Sequence, residues 1–112
     1  MGNEMVINTT PLEVTTAVQR LGENIRLARS RRRISQQELA QACGITRKTL
    51  YGLEKGAPGA TIATAFTVLW RLGLLHTAAS LADPDTDEHG KILEAARRPK
   101  RVREPVVADN DF

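Results

Sequence analysis

The stretch that decides the fold is Ile34-Ser35-Gln36-Gln37-Glu38-Leu39-Ala40-Gln41-Ala42-Cys43-Gly44-Ile45-Thr46-Arg47-Lys48-Thr49-Leu50-Tyr51-Gly52-Leu53-Glu54-Lys55-Gly56. Ser35 followed three positions later by Glu38 has the form of a capping box, which opens a helix by satisfying its free N–H groups. That helix runs from Gln36 to about Cys43, with Leu39, Ala40 and Cys43 as its inward residues. Gly44 stops it where a left-handed backbone is needed, a conformation that costs a residue with a side chain. Ile45 then points inward, and Thr46 is the next N-cap. A second short helix follows from Arg47 to about Lys55, burying Leu50 and Leu53.

Upstream, Val14, Val18, Leu21, Ile25 and Ala28 recur at helical spacing and mark one stripe of a helix over residues 12–33. The run Arg29-Ser30-Arg31-Arg32-Arg33 closes it, where cations suit the negative end of the macrodipole. Downstream, Gly56-Ala57-Pro58-Gly59 reads as a loop by its turn chemistry. Thr61 to Leu72 reads as a fourth helix, Gly73 interrupts, and Leu74 to Leu81 gives a fifth, stopped by Asp83-Pro84. One more helix is expected over 85–98, capped by Thr86 or Asp87 and ended by Pro99. Residues 100–112 lack a packing period and read as disordered when alone. The expected fold is all-α: a five-helix domain at 12–82, an N-terminal arm at 1–11 and a C-terminal tail at 83–112.

Composition narrows the function. The chain has 112 residues, enough for one domain and a tail, and its single cysteine cannot form an internal disulfide. One thiol and two separated histidines, His76 and His89, do not make a zinc site, and no metal or cofactor is expected. No window approaches the roughly 18 unbroken apolar residues of a membrane span, and Met1 to Thr10 has no signal-peptide pattern. A cytoplasmic protein without a membrane partner is expected. The net charge of +3 is unevenly placed: Arg20 to Lys55 holds nine Lys/Arg against three acids, whereas Ala82 to Phe112 holds six bases and eight acids. A basic block ahead of a mixed-charge tail points to an anionic partner for the first half, although a solvated helical face has the same charge.

Two short helices joined by a tight glycine turn are the signature of a helix-turn-helix, with Ala40 small because the helices cross closely there. The second helix of such a unit enters a major groove about 12 Å wide and presents donors to base edges. Thr46, Arg47, Lys48 and Tyr51 lie in its first half; Arg47 and Lys48 suit guanine or phosphate, and Thr46 a thymine methyl or a phosphate oxygen. Gln36 and Gln37 stand at a helix N-terminus, where phosphate is received. Lys55 adds a further contact, and Arg29, Arg31, Arg32 and Arg33 add sequence-independent attraction.

The run Ile34–Gly56 resembles the Cro/lambda-repressor-like (XRE) DNA-binding family. Gln36, Glu38, Leu39, Ala40, Gly44, Ile45, Thr49, Leu50, Glu54 and Gly56 stand in that family's register, and the resemblance extends over residues 15–82. It implies a lambda-repressor-like fold and a dimer on a palindromic operator. Gly52 departs from the pattern, since the family often places Arg, Asn or Lys there, toward DNA. Leu72-Gly73-Leu74-Leu75 and residues 81–90 are similar to the C-terminal part of HipB-like antitoxins. That resemblance implies a HipA-like kinase toxin as partner, bound by the tail, and a repressor of its own operon. Two other readings stand beside it: a protein-interaction module with secondary DNA binding, and a stand-alone phage-type repressor.

Among single residues, Cys43 reads as a small core hydrophobe. Trp70 reads as core or, with Leu74 and Leu75, as part of a dimer or partner interface. Phe112 reads as a frayed end, the alternative being an anchor in a partner pocket. The glycines do not spell a phosphate loop, and no nucleophile, base and oxyanion hole assemble, so no enzyme is expected.

Overall fold

The computed structural model describes residues 10–97. Five α-helices and no strand occur among them, as the all-α reading requires. The chain separates into two compact units, one ending at Ala79 and the other beginning at Ser80.

In the first unit, α1 (Leu12–Arg31) starts behind Pro11, whose carbonyl accepts from the Val14 and Thr15 amides. Glu13 in its first turn and Arg29 and Arg31 in its last complement the macrodipole. The helix ends in a wrapped turn, with the Ile34 amide donating back to the Arg29 carbonyl at 3.3 Å and Arg33 left-handed at φ 55°. Only the second half of its apolar stripe reaches the core. Ile25 and Ala28 are buried, Val18 and Leu21 half-buried, and Val14 exposed.

Helix α2 (Gln36–Cys43) opens with both halves of the capping box: the Glu38 amide donates to Ser35 Oγ at 3.0 Å, and the Ser35 amide to Glu38 Oε1 at 2.8 Å. Gly44 is left-handed at φ 72°, and the Ile45 amide returns to the Ala40 carbonyl. Thr46 caps α3 (Arg47–Glu54) through the Thr49 amide at 3.0 Å. Thr61 caps α4 (Ile62–Arg71) in the same way through Thr64. Ile25, Leu39, Leu50 and Val68, one from each of the four helices, are fully buried and form the centre of a single core. At about 1.5–3 kcal/mol each, such side chains are the main favourable term.

The helix expected over Leu74–Leu81 is not formed. Gly73, at φ 78°, ends α4, and Leu75–Ala78 makes a single 3-10 turn. Leu74 is half-buried against the core, while Leu75 and Leu81 remain exposed.

The second unit contains a 3-10 turn at Pro84–Thr86 and α5 (Glu88–Arg97). Asp87, one of the two cap candidates, accepts from the Gly90 amide at 3.0 Å, and Lys91 Nζ donates to the Asp85 carbonyl. No residue of α5 is buried. The arm residues 1–9 and the tail residues 98–112, Phe112 among them, lie outside the described part.

Candidate nucleic-acid interface

Helix α3 has two faces with separate tasks. Leu50, Leu53 and Glu54 are buried, while Arg47, Lys48, Thr49, Tyr51 and Lys55 at its end are exposed. The side chains of Arg47 and Lys48 make no hydrogen bond or ion pair within the described residues, so both cations are free to meet an anion. The Lys55 ammonium lies 5.7 Å from the centre of the Tyr51 ring, which holds it close to the same face. The Thr46 hydroxyl is engaged at the helix start, accepting from the Thr49 amide and donating to Thr49 Oγ1 at 2.9 Å. Its methyl group remains for contact.

The angle of α3 is set by a buried carboxylate. Glu54 is 5% exposed. Arg29 holds it with two bonds, Nε to Oε2 at 2.7 Å and Nη2 to Oε1 at 3.0 Å, and Gln36 Nε2 donates to Oε1 at 2.9 Å. The third arm of the Arg29 guanidinium donates to the Ile34 carbonyl. One carboxylate thereby joins the end of α1, the start of α2 and the end of α3. A buried charge left alone would be costly, and this one is paired and hydrogen-bonded.

The structure therefore sorts the candidates named from the sequence. Thr46, Arg47, Lys48, Tyr51 and Lys55 share the region of α3, and Gln37 is exposed at the start of α2. Arg31, Arg32 and Arg33 are exposed at the end of α1, with Arg32 also bonded to the Ala28 carbonyl. Arg29 and Gln36 instead turn inward to Glu54. Trp70 is 58% exposed on α4 with the Arg71 guanidinium 5.8 Å from its ring centre; Leu75 is exposed and Leu74 half-buried.

Sequence reading passed over Glu54 and Gly22 as organisers of this region. Glu54 falls one turn after Leu50 and beside Leu53, and an acid on an apolar face signals a buried partner. Gly22 is buried in the middle of α1, where an added Cβ would meet the Leu53 carbonyl oxygen and come within 2.6 Å of the Glu54 carbonyl oxygen. Helices α1 and α3 meet there backbone to backbone. Glu38, whose carboxyl is held below its ordinary value by the Ser35 amide, serves the cap, and burial pushes the Cys43 thiol upward.

No described helix is long and apolar enough to cross a membrane, and no described group of His, Cys, Asp and Glu could hold a metal. No curated protein and no solved structure matches the chain. Residues 20–69 match the family model of a helix-turn-helix domain, a span that covers all of α2 and α3 and parts of α1 and α4. Capped α2, the Gly44 turn and capped α3 lie inside the matched span and have the two-helix form of a helix-turn-helix.

Proposed function

We propose that this chain is a sequence-specific DNA-binding transcriptional repressor that acts as a homodimer on a palindromic operator. The observation that carries this reading is the outer face of α3: Arg47, Lys48 and Tyr51 exposed on a helix whose opposite face is anchored by Leu50, Leu53 and Glu54. Helix α3 enters the major groove, with Arg47 and Lys48 on base edges or phosphates and Gln37, Lys55, Arg31, Arg32 and Arg33 on the backbone. Arg29 and Gln36 act at one remove, by fixing the helix. Two copies joined through Trp70, Leu74 and Leu75 place two recognition helices about 34–36 Å apart.

Fluorescence anisotropy with duplexes from upstream of the gene tests this. Nanomolar binding that weakens steeply with salt is expected. Arg47→Ala with Lys48→Ala should weaken it at least tenfold, and unchanged affinity in that double variant overturns the assignment of α3. Sedimentation of Trp70→Ala against the parent chain checks the dimer.

The antitoxin reading has its own support in the second unit. Ile92 and Leu93 of α5 are exposed, and none of that helix is buried. In this reading the unit that begins at Ser80 docks on a HipA-like kinase toxin, and the repressor controls the operon encoding both. Co-purification with the product of the neighbouring gene, lost on Ile92→Asp with Leu93→Asp, is the expected result. A partner retained by that variant would remove α5 from the interface.

A further inference from the structure

Gly52 sits in the middle of α3 although nothing in the fold requires glycine there. Its backbone is ordinary helix, and an added Cβ would meet only the Ala57 Cβ, at 3.5 Å, an ordinary contact. A helix interior is stabilised by replacing glycine with alanine. What the missing side chain leaves is a groove. A cavity of about 270 Å³ runs along the outer side of α3, lined by Lys48, Thr49, Gly52, Leu53, Ala57, Gly59 and Ala60. Its walls are mostly small and apolar, Lys48 is its one charged residue, and no carboxylate-bearing residue lines it. Thr61 caps α4 directly after Ala60, so the positive end of that helix dipole opens beside it.

An apolar channel with a single cation at its rim matches one chemical unit of a nucleic acid strand: a deoxyribose ring with its phosphate. Building on the DNA-binding reading above, we propose that this groove seats one sugar-phosphate unit at the edge of the major groove. The sugar lies over Gly52, Ala57 and Ala60, with its phosphate on Lys48. Gly52 is then a clearance that lets the strand approach α3, and its lack of a long polar side chain is not a vacancy in the interface. Lys48 is thereby assigned to phosphate, leaving Arg47 and Tyr51 as the side chains of α3 that face bases.

The test uses the full chain and a labelled 20-base-pair duplex of mixed sequence, titrated at several salt concentrations, with melting temperature measured in parallel. Gly52→Ala should melt a few degrees higher and bind within about threefold of the parent. Gly52→Leu fills the groove and should bind about tenfold more weakly, with the salt slope reduced by about one phosphate contact, the same reduction that Lys48→Ala gives. Combining Gly52→Leu with Lys48→Ala should cost little beyond either alone, because both remove one contact. Gly52→Arg discriminates directly. Weaker binding supports the seat, whereas tighter binding with a steeper salt slope means the position is a missing contact and overturns it. Full affinity and an unchanged slope in folded Gly52→Leu also overturn the seat while leaving DNA binding intact. A folded parent chain that ignores the duplex at low salt overturns the DNA reading itself, and the seat with it.

Discussion

At the scale of single residues, Glu54 matters most. With its side chain 2% exposed and Arg29 bonded to both oxygens, removal of either partner strands a charge. Arg29→Ala or Glu54→Ala should lower the unfolding free energy by about 3–5 kcal/mol in urea titrations. Glu23 with Arg26, by contrast, is an exposed pair three residues apart, and its loss should scarcely register. Glu38 gives a pH-dependent counterpart. The Ser35 amide holds its carboxyl below the ordinary 4.5, so its stabilising effect is complete above that value and fades as pH falls through the lower folded value. The stability difference between the parent chain and Glu38→Gln should therefore be present at neutral pH and absent in strong acid. Caps such as Ser35 and Thr46 were legible in the sequence because each bond spans three residues. The Arg29–Glu54 bond spans twenty-five, and local spacing carries no trace of it beyond an acid on an apolar face.

Elements show why two glycines that look alike in a sequence are not alike in a fold. Gly44→Ala meets no neighbour within 4 Å and suffers only from φ 72°, a cost of about 1–2 kcal/mol. Gly22→Ala has ordinary helical dihedrals to adopt, and alanine favours helices, yet its methyl would drive α1 off the backbone of α3. A loss of about 3 kcal/mol is expected, and denaturant unfolding of the two variants would reverse the order that helix propensity alone gives. Arg33 is a non-glycine residue held left-handed at φ 55°, and Arg33→Gly should gain about 0.5–1 kcal/mol in the same measurement. All five α-helices could be read from residue patterns, α1 without a side-chain cap and α5 without a buried face. In the one expected over Leu74–Leu81, Leu74 packs on the core but Leu75 and Leu81 stay exposed, and local spacing does not display which apolar residues find a partner.

For the whole molecule, the core runs from Ile25 to Leu72 and lies entirely within the unit that ends at Ala79. A chain cut after Ala79 should therefore melt within a few degrees of the parent, as thermal unfolding followed by circular dichroism would show. The basic block read from Arg20 to Lys55 also resolves into distinct parts. Arg29 is committed to Glu54 and Arg26 to Glu23, so the cations left outward are Arg20, those at the end of α1 and those on and directly after α3. Charge counting points to the first half of the chain but does not separate cations that hold the fold from cations that face solvent.

The two faces of α3 share no residue. Leu50, Leu53 and Glu54 hold the helix in place, and the side chains of Arg47, Lys48 and Tyr51 are exposed, with no hydrogen bond or ion pair among the described residues for the two cations. Mutation can rewrite the outer trio while the inner trio keeps the mount unchanged. On the proposed DNA-binding reading, specificity and foldability are then inherited independently, so exchanging a few outer side chains changes the sequence recognised without weakening the mount.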